Sequence, residues 1–181
     1  MLPSSQPLRR IAAASAKKNC PWTDLDEDGT GLGVESFITT QMSRVGNALR
    51  RTITLPYADK FGLTVAEWRM LSVLAEARRL PFIELVALSA TDKSLVSRAL
   101  RLLESRELVR LEAQPGAPRK GLVCHITAAG QALYERAMPV ARQRQAAMIR
   151  VLTREERRVM FRALKKLYRH CLAGDDGTLE S

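Results

Sequence analysis

Apolar positions recur at two different spacings along this chain, and the switch between them divides it into elements. From Glu35 onward, Ile38, Met42, Val45, Leu49 and Ile53 fall at three- and four-residue intervals, which predicts a long amphipathic helix whose stripe needs a partner. Pro56 breaks or bends it, and Tyr57 to Phe61 lead to a stop at Gly62. Thr64 and Glu67 then form a capping box ahead of a helix carrying Trp68, Leu71 and Leu74. The run PFIELVALSATD predicts a short apolar helix and a polar turn ending at Asp92, whose carboxylate is suited to cap the next helix. That helix is DKSLVSRALRLLES, Asp92 to Ser105. On it, Val96, Leu100 and Leu103 share one face, and Ser94, Ser97, Arg98, Arg101 and Ser105 share another.

Beyond Ser105 the period shortens to two. LVRLE and GLVCHIT alternate apolar and polar residues around AQPGAPRK, whose prolines, glycine and cations predict the tip of a β-hairpin. Helical spacing then returns. Thr127 caps a helix running to about Leu152 with Pro139 as a kink, and Thr153 with Glu156 makes a second capping box. Val159, Met160, Ala163, Leu164 and Leu167 give the last helix its apolar face.

Helix, turn, helix and hairpin in that order make a winged helix-turn-helix, so the expected fold is mainly α with a small β wing. The organisation predicted is a flexible tail over 1–34, a domain over 35–172 and a second tail over 173–181. Within the domain the winged module spans about 63–127, and dimerisation helices span about 35–60 and 127–172. These terminal helices carry more apolar surface than the small module can cover, and a second copy is the simplest cover.

The charge agrees with a polyanionic partner. In 181 residues the net charge is +10, which favours salt-sensitive binding to nucleic acid. The cations are unevenly spread: residues 142–170 hold ten Lys and Arg against two Glu, whereas 91–127 hold seven against four acids. A short, polar, basic helix face nevertheless suits close approach to phosphates and base edges, so Lys93, Ser94, Ser97, Arg98 and Arg101 are the candidate DNA contacts, with Arg119 and Lys120 at the wing. Nothing in the chain assembles a nucleophile, a metal cluster or a nucleotide-binding loop, and an enzyme is not expected.

Three cysteines without paired spacing, and no secretory signal, point to a reducing cytoplasm. No apolar run is long enough to cross a bilayer. Cys124 and His125 sit on opposite faces of a strand, Cys124 with the core; His170 and Cys171 close a helix. Two stretches imitate other functions. Residues 1–18 are basic and free of acids, as in an organelle transit peptide, and read better as a mobile basic arm. Asp24 to Glu35 matches a calcium loop, but Gly31 replaces the usual apolar residue and Pro21 spoils an incoming helix, so an acidic linker is expected and no metal.

The runs LTVAEWRMLSVL, DKSLVSRALRLLESRELVRLE and PRKGLVCHITAAG, in this order and spacing across roughly 35–170, resemble the MarR family of bacterial transcriptional regulators. Pro118 stands where the family's wing carries Asp beside the arginine, here Arg119, and the turn has Ala90 for a glycine and Ser89 for an apolar residue. The resemblance implies a homodimer on a palindromic operator, repressing a nearby operon and released by a small aromatic acid. It also implies an effector cavity between the first two helices and the dimer helices. Trp68 would line that cavity, and Arg44 and Arg51 would meet a ligand carboxylate. No cofactor is implied. The alternatives are a non-specific architectural DNA-binding protein using the basic last helices, and a thiol-responsive regulator acting through Cys20.

Overall fold

The computed structural model describes residues 20–89, 91–113 and 121–175. The chain divides into two compact units, one ending at Leu49 and the other beginning at Arg50.

In the first unit, the acidic stretch is a set of turns. Asp26 accepts the amide of Thr30 on Oδ1 at 2.7 Å, and Gly29 and Gly31 take left-handed backbone angles. No three metal-ligating side chains gather among the described residues. The expected helix start at Glu35 is displaced: Val34–Ser36 is a single 3₁₀ turn, Phe37 is extended, and helix α1 runs Ile38–Leu49. Trp22 donates its indole N–H to the Ser36 carbonyl at 2.7 Å, and Gln41 bonds the Glu35 carbonyl, so the turn is held from both sides. Phe37, Ile38, Met42 and Val45 all remain exposed.

The second unit opens with a widened π turn, Arg50–Thr54, before α2, Leu55–Lys60. Pro56 lies in the first turn of α2, directly after the π turn. Helix α3, Val65–Ala77, starts at the predicted capping box: Glu67 N–H donates to Thr64 Oγ1 at 3.1 Å, and Thr64 N–H donates to Glu67 Oε2 at 2.8 Å. Strand β1 (Arg79–Pro81), α4 (Phe82–Ser89), α5 (Lys93–Ser105), β2 (Val109–Ala113) and β3 (Leu122–Ile126) complete the winged module. The two predicted strands pair, with Leu111 opposite Cys124, the tip over 114–120 lying outside the described residues, and β1 adds a third antiparallel strand to give the order β1-β3-β2.

Its core is compact. Met70, Leu71 and Leu74 of α3, Leu85 of α4, Val96, Leu100 and Leu103 of α5, and Val109 and Cys124 of the sheet are fully buried. Each large aliphatic chain removed from water contributes about 1.5–3 kcal/mol. Burial, with Glu104 nearby, pushes the Cys124 thiol up to about 11, so at neutral pH it is protonated and unreactive.

Helix α6, Ala128–Ile149, runs unbroken through Pro139, and α7 covers Arg154–Asp175. His170 and Cys171 therefore lie inside the last helix and do not close it. The second capping box is present, with Thr153 N–H donating to Glu156 Oε2 at 2.7 Å and Glu156 N–H to Thr153 Oγ1 at 3.3 Å. The Thr153 amide and, at 2.8 Å, its hydroxyl both donate to Glu156 Oε2 and hold that carboxyl below its usual range. Arg157 Nε donates to the carbonyls of Ile149 and Leu152 and closes the turn between the two helices. No described residue of α7 is buried, and Phe161, Leu164, Leu167, Tyr168 and Leu172 lie open to solvent.

Besides the packing of α3 on α6, the winged module is hydrogen-bonded to the start of α6 through one carbonyl. Leu108 C=O accepts Thr127 N–H at 3.2 Å and Thr127 Oγ1 at 3.0 Å, while Thr127 Oγ1 also caps α6 through Gly130 N–H. A Cβ on Gly130 would stand 2.0 Å from that oxygen. Directly before Leu108, Glu107 sits at φ 56, the left-handed position that Gly62 fills at the end of α2. Gly130→Ala is expected to cost about 2–3 kcal/mol, because the obstacle is backbone and cannot rotate away. Glu107→Gly should instead stabilise by about 0.5–1 kcal/mol; urea denaturation checks both signs. A neutral thiol reagent should label Cys20 and Cys171, which are exposed, and leave Cys124 unmodified until the protein is unfolded.

Candidate nucleic-acid interface

Helix α5 is amphipathic in the way its sequence predicts. Val96, Ala99, Leu100 and Leu103 face inward, while Lys93, Ser94, Arg98, Arg101 and Ser105 are exposed and Ser97 is half-buried. Arg101 donates to Ser97 Oγ at 3.2 Å one turn back, so the two chains are already oriented together. Ser105 turns its hydroxyl inward to the Leu102 carbonyl at 2.9 Å, which removes it as a donor to a partner. Leu95 and Leu102, overlooked in the polar face, are nearly half exposed along its flank. Arg119 and Lys120 lie outside the described residues.

The expected cap from Asp92 does not form. Asp92 takes the N-cap position with extended backbone, and its carbonyl accepts Val96 N–H at 3.0 Å, but its carboxylate makes no capping bond. The turn before α5 is held from α3. Arg69 Nη1 donates to the Ser89 carbonyl at 3.0 Å and to Thr91 Oγ1 at 3.1 Å, and Thr91 Oγ1 donates to the same Ser89 carbonyl at 2.9 Å. Ser89 fits as a polar residue in an apolar site because its hydroxyl bonds the Val86 carbonyl at 2.9 Å.

The far end of α5 is tied to the wing. Glu104 Oε1 accepts Leu111 N–H at 3.0 Å on the edge strand β2. Arg106 Nη1 donates to the Gly62 carbonyl at 2.7 Å and lies 3.4 Å from Glu67 Oε1, giving the buried Glu67 carboxylate a cation. On the outer side of the sheet, Arg79 and Arg110 flank His125 in register. Glu112 stands 3.2 Å from His125 Nε2 and 3.4 Å from Arg110, which tempers the positive row.

The three candidate ligand residues have different surroundings. Trp68 is buried, edge-on to Tyr57 at 5.4 Å and stacked on Tyr134 at 5.9 Å between ring centres. Burial raises the Tyr134 hydroxyl above its ordinary pKa, with Glu76 adding and Arg142 opposing. Arg51 is exposed in the π turn. Arg44 belongs to the first unit, where it pairs with Glu35. An open cleft of about 350 Å³ lies beside the start of α6, lined by Arg78, Gln131 and Glu135 among others.

With this geometry in view, the likeness to known proteins is specific. Residues 61–120 match the sequence model of the MarR family. The HTH-type transcriptional repressor Rv2887 of Mycobacterium tuberculosis is 30% identical over 137 residues, which cover 76% of this chain and 97% of that protein. Among solved structures, a MarR/EmrR family regulator from Acinetobacter sp. ADP1 superposes with a TM-score of 0.68 at 27% identity, covering 77% of this chain and 98% of the other. Rv2887 of M. tuberculosis in complex with salicylic acid gives 0.59 at 29% identity over 75% of this chain and 99% of that one. The chain belongs to the MarR family of winged helix-turn-helix transcriptional regulators.

Proposed function

We propose that the protein is a homodimeric, sequence-specific repressor that places one copy of α5 in each of two successive major grooves. The observation that carries this reading is the division of α5: Val96, Ala99, Leu100 and Leu103 are buried in the core, and Ser94, Ser97, Arg98 and Arg101 form a short polar and basic outer side flanked by Leu95 and Leu102. Small hydroxyl residues let the helix approach closely, and arginine offers paired donors to guanine. Lys93, Arg119 and Lys120 would add phosphate contacts. The exposed apolar chains of α1 and α7 support dimerisation, since a surface of that kind is stable only when covered. Two copies related by a twofold axis would read half-sites roughly 34 Å apart.

Release by an aromatic carboxylate is supported by the salicylic acid complex of Rv2887 and by the ring cluster of Trp68, Tyr57 and Tyr134, with Arg51 of the same unit as a candidate partner for the carboxylate. Such a ligand weakens DNA binding only as far as it prefers the conformation whose reading heads are wrongly spaced. The basic surface of α7 favours a second reading, non-specific DNA packaging, and competition separates the two.

Selection of duplexes from a random pool should recover a palindrome whose half-sites lie about one helical turn apart; recovery of no motif would leave the packaging reading. Arg98→Ala should weaken binding to the recovered duplex by about 1–3 kcal/mol and relax preference at one base pair. Lys120→Ala should weaken all sequences alike and lower the salt slope by about one. Salicylate should raise the melting temperature and weaken operator binding together, and a change in neither would remove the ligand from the mechanism.

A further inference from the structure

Helix α4 ends where α5 must begin, and the turn between them decides the angle at which the outer side of α5 is presented. The last carbonyls of a helix need donors from elsewhere, and the residue best placed in sequence to organise this turn, Asp92, makes no capping bond with its side chain. The donors come instead from a residue 20 positions before Ser89. One guanidinium nitrogen of Arg69 reaches both the Ser89 carbonyl and the Thr91 hydroxyl, and the hydroxyl closes the triangle on the same carbonyl. Ser89 itself is 2% exposed, so water has little access to replace these bonds. A cation at the end of α4 also suits the negative end of the helix. Because α3 is packed into the core through Met70 and Leu71, next to Arg69 in sequence, the turn is referred to an element anchored in the middle of the module.

We infer that Arg69 is a positioning residue for DNA reading: it fixes the turn between α4 and α5 and thereby the register of Ser94, Ser97, Arg98 and Arg101 against base edges. Base contacts tolerate little displacement, whereas attraction to phosphates falls off slowly with distance. Loosening the turn therefore removes discrimination before it removes affinity. The inference rests on the reading of the protein as a sequence-specific regulator.

The test compares the duplex that the wild-type protein recovers from a random pool with a random duplex of equal length. For Arg69→Met, binding to the recovered duplex should fall about tenfold or more, and binding to the random duplex by less than about threefold, so the ratio collapses. Arg69→Lys keeps the charge, but its chain is one bond shorter and holds the ammonium short of the place where Nη1 meets both acceptors; its ratio should still fall severalfold, which separates geometry from lost charge. Thr91→Val should lower the ratio less, and should have no further effect once Arg69 is Met. A general loss of folded protein would weaken both duplexes equally and leave the ratio where it was. If Arg69→Met fails to fold, Arg69→Lys and Thr91→Val carry the same comparison. A recovered duplex still preferred as strongly by the folded variants as by wild type overturns this inference alone. A wild-type protein that enriches no sequence overturns the regulator reading, and the inference with it.

Discussion

The carbonyl of Leu108 is the point on which the second unit turns. It receives the amide and the hydroxyl of Thr127 and leaves no room for any side chain at position 130. Directly upstream, the end of α5 closes with Leu108 N–H donating to the Leu103 carbonyl at 2.9 Å. The close of the reading helix and the opening of the long helix α6 are therefore joined through one residue. Leu103 and Val109 are buried on either side of it, so the joint cannot shift without disturbing the core. Leu108 thus ties the close of α5 to the opening of α6 through its amide on one side and its carbonyl on the other.

Much of this was legible in the residue pattern, and the remainder was hidden for a physical reason. Periodicity found α5, its buried triad and the two-strand wing, because these depend on neighbours three, four or two positions apart. The capping boxes at Thr64 and Thr153 were equally local. Strand β1 was missed because three residues ending in proline carry no period of their own; the strand exists because Leu80 can lie opposite Cys124. Arg69, Glu104 and Arg106 were unreadable as structural residues, since each completes a bond to a backbone group whose position is set by tertiary packing. Asp92 shows the converse: a favourable cap in sequence loses to a turn already organised from α3.

The distribution of charge also changes meaning once partners are known. Arg157 spends its guanidinium on the carbonyls between α6 and α7, Arg158 pairs with Glu155, and Lys165 lies 5.0 Å over the Phe161 ring. Part of the excess on the last helix is thus occupied within the helix itself. On α5 the balance is reversed: Glu104 faces the strand and Asp92 lies at the helix start, which leaves Lys93, Arg98 and Arg101 as the charges of the outer side.

The bond from Glu104 to Leu111 N–H has a consequence for solubility as well as for the wing. Strand β2 borders the sheet, and an unpaired border strand invites a foreign strand to dock and extend it. A carboxylate seated on that amide blocks one rung of any such ladder and sets a negative charge beside the rest. The side chain that ties α5 to the wing thereby also shields part of that border from a foreign strand.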